Sequence, residues 1–336
     1  MERPGKRVVA ALVGSALLLA AGCSSGDDPD KIQTIDKATA AESPPLTTTP
    51  AGDVAALPFA VTSTTIDPIT QTLIVTGDDG NRIELLGTDP AAPPREVSTE
   101  HPVRQVTPVG DGTALLAMNG QVGRLDLRTA EVTSTPVDGD VLTVSQLEDG
   151  RILAGTDNGT IDVVDPETSD TRTVTGLASV DALAVVGDTV TALDRKQTSV
   201  TDIDIDGESL GAALRAGEGA HSLATDSFGR ILVTDTPGDE LLVYTTDSLT
   251  LRQRFPVGPA PVGVAFDETT GTVWVTLSGT NEVVGFELSS GVGVETARFP
   301  TVRQPNSIAV DSGTGVVFVG SAAGEGLQRI PTRTAP

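Results

Sequence analysis

The pattern of apolar and polar positions is clearest in residues 261–288, where short strands alternate with polar turns. The three predicted strands are Val262–Phe266, Thr272–Leu277 and Glu282–Leu288. β-Branched and aromatic residues fill the strands, whereas glycine, aspartate, asparagine and serine fill the gaps, as is typical of antiparallel hairpins. A sheet of three or four such strands cannot bury both of its faces alone, so the pattern predicts further copies.

The second strand of this stretch recurs seven times, at spacings of 38 to 44 residues. Its copies end at Thr76, Ala117, Gly155, Leu193, Thr234, Thr276 and Gly320. A period of roughly 40 residues with only strand and turn signals is typical of a β-propeller. We therefore predict an all-β, seven-bladed β-propeller with four-stranded blades over residues 53–336, in preference to another all-β arrangement such as a sandwich. Asp53–Leu57 stands where a strand is missing, so we expect it to complete the last blade.

Two kinds of motif resemble those of known propellers. The stretch VWVTLSGTNEVVGFEL, residues 273–288, is similar to the YVTN-type repeat of bacterial seven-bladed propellers. The strands SLATD, GVAFD and SIAVD resemble NHL repeats and the repeats of virginiamycin B lyase-type propellers. The resemblance covers about residues 53–330 and implies the fold, but propellers serve in binding, scaffolding and catalysis alike. Arginine outnumbers lysine 18 to 4, which is typical of a GC-rich bacterium such as an actinobacterium.

Residues 1–22 have the pattern of a signal peptide. The apolar run Val8–Ala21 would make a helix of about 21 Å, short of the roughly 30 Å apolar core of a bilayer. The run ends in Ala-Ala-Gly before Cys23, which resembles a bacterial lipobox. The resemblance implies that the signal is removed, that the Cys23 thiol receives diacylglycerol, and that its amino group receives an acyl chain such as palmitate. The alternative is an ordinary secreted protein, but the only cysteine of the chain stands where the lipobox requires it.

The lipobox resemblance implies an extracytoplasmic protein anchored to the cell membrane, and the remaining composition adds to this picture. Residues 23–52 contain Cys23 and a segment rich in proline, serine and threonine, which predicts a flexible tether. The formal charge is −24, and removal of residues 1–22, with three basic and one acidic side chain, makes it −26. This charge argues against nucleic acid and anionic lipid as partners. Because no phosphate loop, serine nucleophile elbow or zinc pattern is present, we expect no cofactor and no metal. Separately, we expect a monomer.

The segment Asp202–Gly207, DIDIDG, has two interpretations. Alternate carboxylates followed by glycine are typical of a calcium loop, but Ala213 stands where an EF-hand has its bidentate glutamate. The same alternation fits a strand with Ile203 and Ile205 inward, ending in an Asp-Gly turn. We favour the strand.

Aligning the copies places four polar residues at equivalent positions just before the first strands, namely Arg104, Asp181, His221 and Asn306. In a propeller these positions surround one mouth of the central channel, so we expect the four side chains to converge there. Virginiamycin B lyase-type propellers have a catalytic histidine in a similar place, usually in the motif Pro-His-Gly. Here His221 stands between Ala220 and Ser222, and the acidic metal ligands of that family cannot be matched. The alternative is that these groups only hydrate the channel.

The loops between second and third strands are rich in acids, which predicts an acidic rim around the same mouth. Its candidates are Asp78, Asp79, Asp157, Asp235 and Asp239. We expect a binding or scaffolding module in the cell envelope, whose partner is another envelope protein or a cationic or polyol-rich component. An alternative for the acids is solubility. The alternative function is a lyase or lactonase-like hydrolase that acts at the channel mouth.

Overall fold

The structure is a computed structural model that describes residue 1 and residues 32–78, 80–87, 93–168 and 170–333. By its contacts the chain divides into residues 1–32 and 33–336, and the second unit contains the strands described below. The signal peptide and Cys23 of the sequence analysis lie outside the described residues. Among the described residues, no helix is both long and apolar enough to cross a bilayer.

Antiparallel strands make up this unit. In chain order they begin with β1 (Asp53–Ala55), β2 (Val61–Asp67), β3 (Thr72–Gly77), β4 (Arg82–Gly87), β5 (Arg95–Ser98), β6 (Val103–Pro108), β7 (Thr113–Asp126), β8 (Val132–Gln146) and β9 (Ile152–Thr156). They continue with β10 (Ile161–Val164), β11 (Thr171–Val174), β12 (Ala182–Val186), β13 (Thr189–Asp194), β14 (Ser199–Asp204), β15 (Ser209–Arg215), β16 (Ala220–Thr225), β17 (Arg230–Asp235) and β18 (Glu240–Thr245). The last are β19 (Thr250–Pro256), β20 (Pro261–Asp267), β21 (Thr272–Leu277), β22 (Glu282–Glu287), β23 (Val294–Pro300), β24 (Pro305–Asp311), β25 (Val316–Ser321) and β26 (Leu327–Pro331).

The described strands form six sheets, five with four strands and one with six, so the prediction of seven separate blades is wrong. The second and third copies share the six-stranded sheet β6–β11, because β8 covers both the last strand of the second copy and the first strand of the third. β7 covers the second and third strands of the second copy. Gly120 (φ 73°) lies inside β7, where the chain folds back and Leu127 N donates to Gly112 O at 3.0 Å. Gly139 (φ 90°) lies inside β8. The left-handed backbone of these glycines lets each strand turn without ending its ladder.

The sheets are arranged around a channel as in a β-propeller. The innermost strands contact one another in a closed cycle that runs from β2 through β6, β8, β12, β16, β20 and β24 back to β2. The ring is closed by the first and last strands of the described residues, because β1 pairs with β26 in the register Asp53↔Arg329 and Ala55↔Leu327. The predicted closing strand is therefore confirmed over Asp53–Ala55, and it leaves β26 with a partner on both sides.

The core lies between neighbouring sheets. Valine, leucine and isoleucine on the second and third strands of one sheet pack against those of the next, so every sheet buries both faces. Trp274 on β21 is 3% exposed and packs against the closing sheet, with its ring 6.0 Å from that of Phe299.

Buried aspartates fix the turns that follow several inner strands. Asp67, Asp267 and Asp311 end β2, β20 and β24, and each accepts hydrogen bonds from backbone amides two or three residues further on. Asp226 does the same after β16, where it accepts from Phe228 N at 3.0 Å. The aspartate of the recurring strand motif thus serves as a turn residue, since a carboxylate satisfies amide groups that the tight turn leaves unpaired.

Residues 35–44, which the sequence predicts as part of a flexible tether, lie along one face of the propeller. We refer to them as the rim segment. Ile35 N donates to Lys196 O at 2.8 Å, and near the other end Ser43 N donates to Gln304 Oε1 at 2.9 Å. The hydroxyl of Ser43 donates to Ser278 O at 2.7 Å and accepts from the amide of Gln304, and Ser43 is 3% exposed. The sequence of the rim segment has no periodic apolar pattern, so it does not predict these side-chain contacts.

Candidate functional site at the channel mouth

A cavity of about 340 Å³ opens at the start of the innermost strands. Its walls include the four predicted channel-mouth residues, Arg104, Asp181, His221 and Asn306. All seven sequence copies contribute to it, with Thr62, Leu142 and Gly263 among the other lining residues. The alignment of the copies therefore brought together residues that are up to about 200 positions apart in sequence. A second cavity of about 590 Å³ lies at the opposite ends of the same strands, beside Pro68, Pro108 and Leu147.

Asp181 is the most constrained polar group of the mouth. Its Oδ2 accepts from the hydroxyl of Ser179 at 2.5 Å and from the backbone amide of Arg195 at 2.8 Å. Its Oδ1 pairs with Lys37 Nζ of the rim segment at 2.5 Å. The Asp181 side chain is 8% exposed, so the carboxylate is held in one orientation by donors to one oxygen and by a cation at the other.

His221 is a neutral imidazole at physiological pH. Burial, and then the nearby positive charge of Arg195, lowers its pKa to about 4. Its Nδ1 lies 3.1 Å from the Ser222 hydroxyl. A neutral imidazole offers one donor and one acceptor nitrogen, so His221 suits hydrogen bonding to a polar ligand and adds no charge to the mouth.

The two remaining mouth residues already have partners. Arg104 Nη2 donates to Asp140 Oδ2 at 3.1 Å, and the Arg104 side chain is half exposed, so its charge is offset at the rim of the cavity. Asn306 Oδ1 accepts from Gln304 Nε2 at 3.3 Å, and the same Nε2 donates to Ala41 O of the rim segment at 2.7 Å. The amide of Gln304 thus couples the rim segment to the cavity wall.

The predicted acidic rim is only partly present. Asp78 and Asp157 are exposed, and Asp79 lies outside the described residues. Asp239 is exposed too, although its Oδ1 accepts from Ala260 N at 2.8 Å. Asp235 does not belong to a rim, because it is 0% exposed and its oxygens accept from the amides of Glu218 and Gly219 at 2.9 and 2.8 Å. Its carboxylate is needed for the turn and is not available to a partner.

Sequence reasoning missed three residues that shape the mouth. Lys37 and Gln304 reach it from the rim segment and from a loop. Arg195 donates to Ala220 O at 3.3 Å and also to Ala38 O, so it connects the rim segment to β16, which begins at Ala220 and contains His221. In the sequence, Arg195 and Lys196 are two adjacent cations within the set of otherwise acidic loops, and that contrast is the available signal.

The described part of the chain contains no group of three or more His, Cys, Asp and Glu side chains placed to hold a metal ion. In Asp202–Gly207 the strand interpretation is confirmed, since Ile203 and Ile205 are buried in the core. Asp204 Oδ1 accepts from Gly207 N at 2.8 Å, as expected of the tight turn after β14. Asp202 accepts from the Thr191 hydroxyl at 3.1 Å, and Asp206 lies on the surface beside Arg151.

Comparison with solved structures gives the same fold. A chain of the mitotic checkpoint complex has a TM-score of 0.73 at 13% identity and covers 88% of this chain and 98% of its own. Kuenenia stuttgartiensis hydrazine synthase has a TM-score of 0.69 at 15% identity, with 86% of this chain and 99% of the other covered. A streptogramin B lyase has a TM-score of 0.66 at 12% identity, with 82% and 95% covered.

These likenesses concern the fold alone. The chain shares the propeller architecture with proteins whose names describe unrelated activities. No protein-family model matches the sequence, and no curated protein matches it. The function must therefore be argued from the channel mouth itself.

Proposed function

We propose that this protein is a lipid-anchored, extracytoplasmic binding protein of the bacterial cell envelope, and that its propeller holds a polar partner at the channel mouth. The observation that carries the binding role is the cavity of about 340 Å³ where Asp181, His221 and Asn306 meet. A concave site with a few converging polar groups on a rigid scaffold is the usual form of a binding site. The anchoring at Cys23 is supported by the lipobox-like sequence.

The chemistry of the mouth suits a polar or cationic group better than an anion. Asp181 presents a fixed carboxylate that already holds an ammonium group, that of Lys37, whereas the charge of Arg104 is offset by Asp140 and His221 is neutral. Exposed Asp78 and Asp157 on the same face add negative potential over the approach. The partner that fits is a cationic or polyol-rich envelope component, or a basic patch of another envelope protein.

Capture of partners from an envelope extract tests the binding role. We expect the wild-type protein to retain a partner that the variant Asp181→Asn/His221→Ala loses or retains at least about tenfold less. Glu148→Gln serves as the matched control, because Glu148 lies beside the second cavity at the other end of the channel. Equal recovery with all three proteins would mean that the mouth is not the binding surface.

The anchor has a separate test. Cys23→Ala is expected to release the protein from the membrane fraction or to leave it unprocessed, because no other cysteine is available for acylation. Mass spectrometry of the mature amino end should show acyl chains on Cys23. A soluble, unmodified wild-type protein would end the proposal of a lipoprotein while leaving the binding role intact.

A second candidate is a lyase or hydrolase that acts at the same mouth. It is favoured by the neutral His221 in the cavity, which could accept a proton, and by the shared fold with a streptogramin B lyase. Against it, His221 contacts Ser222, and no Asp or Glu contact to the ring is found among the described residues. A thermal-shift scan with divalent metals separates the candidates, since a bound metal at a hundred times its dissociation constant adds about 2.7 kcal/mol.

A further inference from the structure

The ammonium group of Lys37 occupies a site that the rest of the propeller builds. Asp181 belongs to the wall of the mouth cavity, and Ser179 and Arg195 fix its Oδ2 with two hydrogen bonds. Ser179 lies just before β12 and Arg195 directly follows β13, so both donors flank strands of the scaffold close to Asp181. The cation at Oδ1 comes from 144 positions earlier, from a segment that belongs to no sheet. The carboxylate is therefore oriented by the scaffold and neutralised by an outside group.

The attachment of Lys37 differs from that of the scaffold. The backbone around it is held by Ile35 N on Lys196 O, at 2.8 Å, and by the guanidinium of Arg195 on Ala38 O. Neither contact is part of a ladder, and the Lys37 side chain is 29% exposed. Such a segment opens locally at far lower free energy than a sheet does, because few buried contacts break when it moves.

Removal of Lys37 without a substitute would leave a nearly buried carboxylate without its ion-pair partner, which is costly. Exchange for another ammonium group keeps the charge of the site unchanged and avoids that cost. The surroundings accept such an exchange. His221 is neutral, Arg104 is turned to Asp140, and the adjoining cavity of about 340 Å³ has room for a group of side-chain size.

We propose that the Asp181 site at the channel mouth is a receptor for a primary ammonium group of the ligand, and that Lys37 of the rim segment is its built-in occupant, displaced when the ligand binds. This inference rests on the proposed binding function and names the chemistry of its ligand. It also gives the rim segment a role as a competitor that sets the threshold for binding. A primary ammonium has three donors, which suits Oδ1 of Asp181 and the polar wall beside it.

Chemical rescue tests the proposal in the full chain. Lys37→Ala leaves Asp181 Oδ1 open, and propylammonium chloride is then titrated while the thermal unfolding midpoint is followed. We expect a saturable rise in the midpoint for Lys37→Ala and none for Lys37→Ala/Asp181→Asn. In the wild type, we expect half-saturation at about tenfold higher concentration, because the tethered Lys37 competes at high effective concentration. Sodium chloride at equal ionic strength corrects for screening, and tetramethylammonium, which has no N–H donor, should have no effect.

Lys196→Ala is the matched control. Lys196 lies on the same face, but its Nζ donates to the carbonyl oxygens of Asp157 and Ala178 at 2.6 and 3.3 Å and not to Asp181. This variant should respond to propylammonium as the wild type does. If Lys37→Ala does not fold, Lys37→Met keeps the apolar stem and is titrated in its place.

An identical response of Lys37→Ala and its Asp181→Asn double variant, or no response of a folded Lys37 variant, would overturn the ammonium proposal. The envelope capture described above would still decide the binding function, since it compares mouth variants without assuming the class of the ligand. The two proposals can therefore fail separately.

Discussion

Two pieces of chain close to each other in sequence attach to the propeller by different means. Residues 53–55 form β1, which joins β26 through a ladder of main-chain hydrogen bonds although all three of its residues are exposed. The rim segment, residues 35–44, makes no ladder and is held by side chains, with Lys37 on Asp181 and Ser43 among Ser278 and Gln304.

The two attachments differ in how they respond to solution conditions. A ladder depends little on the identity of its side chains and does not titrate, so β1 closes the ring under any condition in which the ring exists. Contacts through charges and hydroxyl groups respond to pH, to salt and to competing ligands. The contacts of the rim segment at the channel mouth are therefore the ones that pH, salt or a ligand can weaken.

Removal of the closing strand should have the largest effect. Proteins that begin at residue 53 and at residue 58 both lack the rim segment, but only the second lacks β1. We expect the second to lose about 4 kcal/mol of unfolding free energy, from roughly three backbone hydrogen bonds and the part-buried Leu57. Chemical denaturation gives the value, and the bared edge of β26 should promote association in size-exclusion chromatography. Equal stability of the two proteins would show that the ring closes without β1.

Acid should lower the unfolding free energy of the protein through the protonation of His221 at the channel mouth. The pKa of His221 is lowered to about 4 in the folded state, chiefly by burial, against 6.5 for the free residue. The unfolded chain therefore binds a proton as pH falls below 6.5, while the folded chain binds it only near pH 4. Stability should fall over this interval by about 3 kcal/mol and then level off as far as His221 is concerned.

The contribution of His221 is isolated by difference. The unfolding free energy of wild type minus that of His221→Gln is followed between pH 7 and pH 4, because carboxylates titrate in both proteins. The exposed His101 provides the control variant His101→Gln. A flat difference curve for His221→Gln would contradict the neutral state of His221.

Gln328 links the closing sheet to the chain that enters it. Its Nε2 donates to Ala51 O at 2.7 Å and Pro300 O at 3.0 Å, and its Oε1 accepts from Val302 N at 2.9 Å. The side chain is fully buried. Gln328→Ala should cost about 2 kcal/mol, since three main-chain groups lose a partner and water enters the space only in part. Urea denaturation of this variant beside Gln253→Ala, a glutamine on the outer strand β19, checks that the loss is local to the closure.

The smallest effect is expected at the far end of the rim segment. Ser43→Ala removes one donor and one acceptor and should cost about 1 kcal/mol. The loss should appear mainly as faster hydrogen exchange of the rim segment, with the amides of the β1–β26 ladder unchanged. Ser290→Ala, on an exposed turn, serves as the control. Faster exchange in both regions would mean that the two attachments are coupled.

The sequence predicted what depends on periodicity. The strand Thr272–Leu277 has the predicted bounds, and Glu282–Leu288 differs from β22 by one residue. The four channel-mouth residues followed from aligning the copies, because equivalent positions of a ring necessarily share one opening. In a closed ring, the equivalent positions of all copies therefore lie close together in space.

The features that the sequence did not predict depend on the role of single residues in their turns and on the local backbone geometry. Asp157 and Asp235 lie in equivalent loops but not at equivalent positions, because Asp235 directly follows the end of its copy and Asp157 stands one residue further on. Asp157 is exposed, whereas Asp235 accepts two backbone amides. The joining of the second and third copies occurs within β8, where Gly139 has a left-handed backbone. The rim segment binds through main-chain groups, through Ser43 and through the charge of Lys37, so its composition resembles that of a disordered spacer.

The pairing of Asp53 with Arg329 has a consequence for the order of assembly. The two residues are 276 positions apart, and a chain made from its amino end presents the first long before the second exists. Local hairpins such as β20–β21 can form as soon as they are complete, whereas the closing contact must wait for the final residues and then bear the loop-closure entropy of nearly the whole domain. We therefore expect ring closure to be the last and slowest folding step, with a rate set by the encounter of β1 with β26.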